Sequence, residues 1–420
     1  MNLADQQWQG SPRRRFLAGS LGAVAGAIAA EASAVVAQGA DSAQKAFRNI
    51  VSPPAVPSPS WGPIATRTCE GNGNMEMPSK PAPCRMNRVG AVAYSFQYSL
   101  GLFTYQDRKG PRLDALKFVE ETRRAGGGVA QLFVSMIQAM NEDELKRLRA
   151  RAAELDVMLE VHGGTAFVPG FEKTLRQAAA LGAKVVGCSF GMLTRPNVIG
   201  TLQGWDEHLG QCKARLRELA DMARPLGIVV AVENHLDLTV EELRDLVQEI
   251  DSPHARVLFD VGNTVGTLDD PTEAADILGP YTVATHYKDF AVEEVTRGFR
   301  FTMVPLGAGS LRLRDITERL LKHVSPEMGL SIEMMNGQQF EVPWLEERFW
   351  TPFRNKTARQ VAATLRHIRG KAIDISQFKP QDELDKQLKP EEHRQLEFDR
   401  IRDCIATLKG ILADAGEGHG

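Results

Sequence analysis

A short run of apolar and β-branched residues followed by an amphipathic helical stretch recurs eight times between residues 88 and 371. The apolar runs cover residues 89–96, 129–134, 157–161, 184–190, 228–232, 256–259, 282–286 and 330–334. The helical stretches cover residues 113–124, 142–155, 171–181, a long segment that reaches 223, then 239–250, 271–278, 311–323 and a last helix with Val361, Leu365 and Ile368 on one face. Strands that are apolar throughout are typical of a parallel sheet buried on both faces. Eight such units in roughly 280 residues predict a single α/β domain, a (β/α)8 TIM barrel.

A doubly wound parallel sheet would show the same alternation of strands and helices. Such a sheet rarely has eight units, and a dinucleotide-binding sheet would carry Gly-x-Gly-x-x-Gly directly after its first strand. The Gly126-Gly127-Gly128 run instead precedes the second apolar run. The pattern therefore favours the barrel.

The N-terminal 34 residues are typical of an export signal rather than of a folded domain. Arg13, Arg14 and Arg15 directly precede Phe16 and Leu17, and an uncharged apolar stretch continues to residue 30. This order resembles the signal read by the bacterial twin-arginine export system. The apolar stretch is shorter than the ~20 residues that span a bilayer. We therefore expect cleavage near residue 34, a periplasmic or extracellular protein and no stable membrane anchor.

Two further segments flank the predicted barrel. Residues 35–87 are rich in proline and predict an irregular extension, in which Cys69 and Cys84 could form a disulfide. Residues 372–420 predict a charged helical tail. Its last helix has one apolar stripe, formed by Ile401, Ile405, Leu408 and Leu412, that could pack on the barrel or on a partner, including a second copy of the chain. Cys188, Cys212 and Cys404 lie in apolar patterns and are expected to be buried thiols.

Polar residues that could bind a metal follow four neighbouring predicted strands. Glu233 ends the fifth run, Asp260 the sixth, His286 the seventh and Glu333 the eighth. The carboxyl ends of barrel strands meet at one face, where the functional residues of such barrels lie. Three carboxylates packed there would repel one another unless a cation lay among them. One nitrogen and three oxygen ligands without a thiolate favour a hard divalent ion, which leaves Mn, Mg, Co and Zn open.

Four short motifs resemble those of the sugar phosphate isomerase/epimerase superfamily, also called xylose-isomerase-like barrels. They are Glu233-Asn234-His235, Phe259-Asp260-Val261-Gly262-Asn263, His286-Tyr287-Lys288-Asp289 and Glu333. The resemblance covers about residues 89–370 and implies that Glu233, Asp260, His286 and Glu333 bind one divalent ion, with Mn preferred. Ketose 3-epimerases of this type usually carry histidine where this chain has Asn263, so the resemblance identifies the superfamily and not one reaction.

These residues together predict a divalent-metal-dependent isomerase or epimerase of a sugar or sugar derivative. Glu233 and Glu333 are the candidate acid and base that move a proton through a metal-stabilised enediolate. His162, His235, Asn263 and Lys288 are candidates for substrate binding. A lyase that acts on keto-sugar glycosides would use the same enolate chemistry, and a noncatalytic sugar-binding protein is a further alternative.

Charge argues against nucleic acid as a partner. The chain has 50 basic and 53 acidic residues, a net charge of -3, whereas proteins that bind nucleic acid usually present a basic face. An endonuclease-like phosphodiester hydrolase on the same fold is therefore disfavoured, and a small carbohydrate is the expected partner.

Two loops beside the predicted barrel mouth, the face at the carboxyl ends of the strands, contain further residues that could contact a substrate. Arg297 and Arg300 could bind an anion. An aromatic group after the eighth strand could cover a sugar ring or pack against other parts of the protein; it consists of Trp344, Phe349, Trp350 and Phe353.

Overall fold

The computed structural model describes residues 85–191, 195–369, 373 and 375–416. The strands in chain order are β1 Val89–Val92, β2 Val129–Phe133, β3 Met158–Thr165, β4 Val185–Ser189, β5 Val229–Glu233, β6 Ala255–Asp260, β7 Thr282–Tyr287, β8 Asp289–Val295, β9 Gly298–Val304, β10 Leu330–Ile332 and β11 Gln339–Val342. Eight of them form a closed barrel in the order β1-β10-β7-β6-β5-β4-β3-β2. Every neighbouring pair is parallel, including the closing pair β1–β10. The predicted (β/α)8 fold is confirmed.

The predicted helical stretches form helices within a few residues at each end, and short helices that the spacing does not predict lie between them. They are α1 Gln97–Leu100, α2 Ala115–Arg124, α3 Val134–Ile137, α4 Glu142–Glu154, α5 Phe171–Leu181, α6 Arg195–Val198, α7 Leu202–Ala223, α8 Val240–Ile250, α9 Pro271–Leu278, α10 Leu313–Leu320, α11 Glu347–Trp350, α12 Ala358–Ile368, α13 Gln381–Gln387 and α14 Pro390–Asp414. Thr239 caps α8 in a capping box with Glu242, as its sequence predicts. Short 3-10 turns connect several elements, and Asn263–Thr267 is the turn that follows β6.

The C-terminal helix α14 completes the ring of helices around the barrel. It packs against β1, β10 and α10, which is the position of the eighth helix of such a barrel. The predicted stripe of Ile401, Ile405, Leu408 and Leu412 is buried in this contact. The order of elements along the sequence predicts α12 as the eighth barrel helix. In the structure, α12 has few buried side chains. It packs on the loop side of the barrel, where the Thr364 hydroxyl donates to the Leu268 carbonyl at 2.8 Å.

A small antiparallel sheet beside the barrel was not predicted. Its strand order is β11-β9-β8, and β8 begins three residues after His286. Phe290, Phe299 and Phe301 of this sheet are buried. The sequence pattern predicts only a long connection over residues 287–310, because a single hairpin carries a weak pattern.

The remaining predictions concern segments outside the barrel or individual thiols. Residues 1–34, nearly all of residues 35–87 and both Cys69 and Cys84 lie outside the described residues. Cys188, Cys212 and Cys404 are buried free thiols, as predicted. Among the described residues, no helix combines the length and the apolar character that a membrane span requires.

Candidate metal centre

The four predicted ligands lie together at the carboxyl ends of the strands. Glu233 is the last residue of β5, Asp260 is the last of β6, His286 lies in β7 and Glu333 directly follows β10. One ligand atom from each lies within 4.8 Å of all the others. All four side chains are buried, with exposed fractions of 5% or less. The strand order, in which β5, β6, β7 and β10 are consecutive neighbours, brings them to one edge.

The donor set fits a divalent ion. His286 Nδ1 lies 3.3 Å from Glu233 Oε1, 3.0 Å from Glu333 Oε2 and 3.8 Å from Asp260 Oδ2. Asp260 Oδ2 and Glu333 Oε2 are buried and accept no hydrogen bond from the described part of the chain. Three buried carboxylates are costly unless cations compensate them, and a divalent ion could supply positive charge here in addition to the ammonium group of Lys288. Oxygen and imidazole ligands of this kind suit Mn, Mg, Co or Zn.

The charged side chains in this group shift one another's pKa values. Burial opposes ionisation of Glu333, but Lys288 and His286 outweigh it and hold its pKa at about 2. Burial raises the pKa of Asp260 to about 7, although Lys288 acts in the opposite direction. Burial also disfavours the charged form of His286, yet Glu233 and Glu333 raise its pKa to about 10. A cation bound at Nδ1 would therefore have to replace a tightly held proton, so that metal binding releases protons.

Lys288 is the fifth charged member of the group. Its Nζ lies 2.6 Å from Asp260 Oδ2 and 3.0 Å from Glu333 Oε2. The ammonium group of Lys288 therefore compensates part of the negative charge of these two carboxylates. Gly262 gives the lysine stem room: a Cβ there would collide with Lys288 Cγ and lie 2.8 Å from a ring carbon of Phe290. Because the backbone of Gly262 is right-handed, with φ -94°, the glycine is required for space and not for a turn.

Asp289, which directly follows Lys288 in the chain, has a different role. Its carboxylate accepts hydrogen bonds from four backbone N–H groups, those of Phe290, Gly307, Gly309 and Leu311. It therefore ties the start of β8 to the loop that leads into α10.

Two asparagines hold the carboxylates in place. The Asn263 amide donates to Glu233 Oε1 at 3.0 Å, and its Oδ1 lies 3.3 Å from Lys288 Nζ. The Asn234 side chain donates to the Asp260 carbonyl and accepts from the Asp260 N–H, both at 2.8 Å. Asp260 Oδ1 accepts the backbone N–H groups of Gly262 and Asn263, which leaves Oδ2 directed at the other ligands.

The two candidate histidines differ in how their ring nitrogens are used. His162 Nε2 lies 3.3 Å from Glu233 Oε2, and its Nδ1 lies 3.1 Å from the Tyr94 hydroxyl. Both nitrogens are therefore engaged, and His162 orients Glu233. His235 is half-buried, and its Nδ1 has no hydrogen-bond partner among the residues that the structure describes. Of the two, His235 is the one with a ring nitrogen available to a ligand.

Sequence reasoning missed Tyr94 and Gln131. Tyr94 follows β1 and holds His162, while Gln131 Oε1 in β2 lies 2.7 Å from His286 Nε2. The site prediction depends on polar residues that end or follow each apolar run, whereas Tyr94 and Gln131 lie within such runs. A polar residue inside a strand that is otherwise apolar was the available signal.

The loop candidates are engaged within the protein. Arg297 pairs with Glu346, and Arg300 pairs with Glu341 at 2.8 Å, so neither side chain points freely at the mouth. The aromatic group packs on itself and its surroundings. Trp344 stacks on Phe299, and Phe349, Trp350 and Phe353 pack on one another. The Phe353 ring also lies 4.4 Å from the guanidinium of Arg195.

The fold and the four-residue site define a class of protein. The chain belongs to the xylose isomerase-like TIM barrel family, whose sequence profile matches residues 119–369. Among curated proteins, 3-oxo-isoapionate decarboxylase of Pectobacterium atrosepticum is 28% identical over 222 residues, which are 51% of this chain and 77% of that protein. Uncharacterized protein YihM of Escherichia coli is 23% identical over 184 residues, which are 43% of this chain and 53% of that protein.

The chain is also similar to solved structures, including two that contain a ligand. D-psicose 3-epimerase of Clostridium cellulolyticum H10 with D-tagatose is 16% identical, and the match covers 76% of this chain and 99% of that chain with a TM-score of 0.46. A xylose isomerase-like TIM barrel protein of Mycobacterium smegmatis in complex with magnesium is 15% identical, and the match covers 76% of this chain and 97% of that chain with a TM-score of 0.45.

Proposed function

We propose that the protein is a divalent-metal-dependent isomerase or epimerase of a small sugar or sugar derivative, with Mn as the preferred ion. The observation that carries this proposal is the buried group of Glu233, Asp260, His286 and Glu333, whose ligand atoms lie within 4.8 Å of one another. Membership of the xylose isomerase-like family supports it. The near-balanced charge of the chain favours a small carbohydrate over nucleic acid as substrate.

The bound ion would supply Lewis acidity at a substrate carbonyl and at the neighbouring hydroxyl. The protein supplies the groups that move the proton. Glu233 and Glu333 lie on β5 and β10, which two other strands separate in the barrel, so they face the substrate from different sides. Removal of a proton by one carboxylate and delivery of a second proton to the opposite face by the other, protonated carboxyl group would invert a carbon centre. Return of the proton to the adjacent carbon would interconvert an aldose and a ketose.

Neighbouring residues prepare these two carboxylates. His162 and Asn263 each bind one oxygen of Glu233 and so fix the orientation of its carboxylate. Lys288 lies 3.0 Å from Glu333 Oε2 and can offset negative charge that develops on the substrate oxygens. His235 Nδ1 is buried without a hydrogen-bond partner in the described part of the chain, which makes it the best candidate for contact with a substrate hydroxyl.

A lyase is the second candidate. It is favoured by the similarity to 3-oxo-isoapionate decarboxylase, which covers 77% of that protein. Loss of carbon dioxide from a 3-oxo acid leaves the same kind of enolate that proton removal produces, and Lys288 would offset its charge in either case. Such a reaction needs a proton donor for the resulting enolate but no base to start it.

Incubation of the metal-loaded protein with candidate sugars and 3-oxo sugar acids in deuterated water tests both candidates. Isomerisation or epimerisation incorporates deuterium next to a carbonyl in a product of unchanged composition, whereas decarboxylation releases carbon dioxide and leaves a shorter product. Glu233→Gln and Glu333→Gln should abolish either reaction. A protein that takes up no divalent ion, with both variants equal to wild type in every assay, would contradict the enzymatic proposal and favour a noncatalytic sugar-binding protein.

A further inference from the structure

Two buried polar side chains lie inside the barrel next to the candidate ligands. Gln131 in β2 is 1% exposed and Glu160 in β3 is 2% exposed. The interior of such a barrel is usually filled by branched apolar residues, and buried polar groups are costly unless they are hydrogen-bonded. These two residues therefore need a specific explanation.

Gln131 and Glu160 form a chain of contacts that ends on His286. The Gln131 amide nitrogen donates to Glu160 Oε2 at 3.0 Å, and Gln131 Oε1 lies 2.7 Å from His286 Nε2. In the strand order, β1 and β10 separate β2 from β7, so the contact between Gln131 and His286 crosses the barrel interior.

This chain determines which nitrogen of His286 carries the hydrogen. The Glu160 carboxyl oxygen Oε2 accepts the hydrogen bond from the amide nitrogen of Gln131, so this nitrogen faces Glu160. The carbonyl oxygen of Gln131 then faces His286, and it can be satisfied only if Nε2 is the protonated nitrogen. Nδ1 faces the opposite side, where Glu333 Oε2 is 3.0 Å away and Glu233 Oε1 is 3.3 Å away. Because Nε2 keeps its hydrogen, Nδ1 is the nitrogen that gives up its proton when a cation binds among these oxygens.

We propose that Gln131 is a positioning residue that fixes His286 as an Nδ1 metal ligand, with Glu160 fixing the orientation of Gln131. This inference rests on the metal-dependent function proposed above. A ligating histidine usually donates its other ring N–H to an acceptor, which sets the tautomer and ring orientation and increases the basicity of the ligand. Here an amide held by a buried carboxylate provides that acceptor.

The affinity for Mn²⁺, measured by competition with a chelator, tests this inference without reference to any reaction. Gln131→Met removes the acceptor at nearly constant size, and we expect it to weaken Mn²⁺ binding by roughly 10–100-fold. The double variant Gln131→Glu with Glu160→Gln keeps an acceptor for His286 Nε2–H and an amide donor behind it, and it should restore binding to the wild-type level or better. Gln177→Met is the matched control, because Gln177 is a buried glutamine that donates to the Ile137 carbonyl on α3.

The protonation of His286 is a second, independent measurement. In wild-type protein loaded with Zn²⁺ and labelled with nitrogen-15, long-range proton–nitrogen correlation spectra should show a hydrogen on Nε2 and none on Nδ1. A hydrogen on Nδ1 would overturn the inference even if Gln131→Met failed to fold.

The outcomes separate the two proposals. A wild-type protein that binds no divalent ion would overturn the proposed function itself. Tight Mn²⁺ binding by wild type together with equal binding by Gln131→Met would overturn only the role of Gln131. An equal loss of affinity in Gln131→Met and Gln177→Met would also overturn that role, because it would show a general packing effect.

Discussion

Replacement of Lys288 by methionine tests how the buried carboxylates are compensated. The Lys288 side chain is 4% exposed, and its Nζ contacts Asp260 Oδ2 at 2.6 Å and Glu333 Oε2 at 3.0 Å. Methionine keeps an unbranched stem that can pass over Gly262, but it carries no charge. Two opposite unit charges about 3 Å apart attract by roughly 5 kcal/mol at an effective dielectric constant of about 20. Desolvation of the ammonium group offsets part of this attraction, and loss of one partner from a buried ion pair typically costs about 3–5 kcal/mol.

We therefore expect Lys288→Met to lower the free energy of unfolding of the metal-free protein by roughly 3–5 kcal/mol. The same substitution removes a positive charge from the ligand group and frees two ligand oxygens. Divalent ions should then bind more tightly, by about tenfold or more, which corresponds to about 1.4 kcal/mol. Saturating Mn²⁺ should consequently restore more stability to the variant than to wild type.

Urea unfolding with and without a chelator, together with Mn²⁺ titration, measures both effects. Lys356→Met is the matched control, because Lys356 forms a buried ion pair with Asp269, which is not one of the four candidate ligands. The control should lose stability and keep its affinity for Mn²⁺. If Lys288→Met is as stable as wild type in the chelator, or if it binds Mn²⁺ no more tightly, the reasoning about shared carboxylates is wrong.

Three other substitutions test the fold, the site and the export signal. Burial raises the pKa of Glu397 from 4.5 to about 7. The folded state therefore binds the proton of Glu397 more tightly than the unfolded state does. The resulting contribution to the free energy of unfolding is fully present below about pH 4.5 and is lost as the pH rises through 7. Glu397→Gln should remove a pH dependence of roughly 3 kcal/mol from the unfolding free energy between pH 4.5 and 8, and equal slopes in both proteins would refute this. Gly262→Ala should displace the stem of Lys288 and cost about 1–3 kcal/mol by overpacking, measured by urea unfolding, and a cost near zero would show that the glycine is not needed for space. Replacement of Arg13 and Arg14 by lysine should retain the precursor in the cytoplasm on cell fractionation, and unchanged export would exclude the twin-arginine route.

The barrel and the clustering of the four candidate ligands could be predicted because both depend on local pattern. Eight apolar runs alternate with amphipathic helices, and a parallel barrel brings all carboxyl strand ends to one face. Glu233, Asp260, His286 and Glu333 therefore had to lie near one another once the fold was recognised. The antiparallel sheet of β8, β9 and β11 could not be predicted in the same way, because β11 lies far along the chain from the hairpin with which it pairs.

The role of α14 also depended on information that the sequence pattern lacks. Both α12 and α14 have apolar spacing, and the order of helices along the chain favoured α12 as the eighth barrel helix. The continuous buried stripe of α14, from Ile401 to Leu412, covers β1 and β10 better than the short buried face of α12. Competition between two helices for one surface is decided by packing and not by periodicity.

The sequence by itself determined the fold, the face on which the site lies and the four residues that could bind a metal, because these follow from spacing along single elements. Only the tertiary structure decided how the other side chains are used. It directs Lys288 to Asp260 and Glu333 through the space left by Gly262, engages both nitrogens of His162, and connects His286 to Gln131 and Glu160 across the barrel. These contacts join strands that are distant in sequence, and such distances exist only after the barrel has closed.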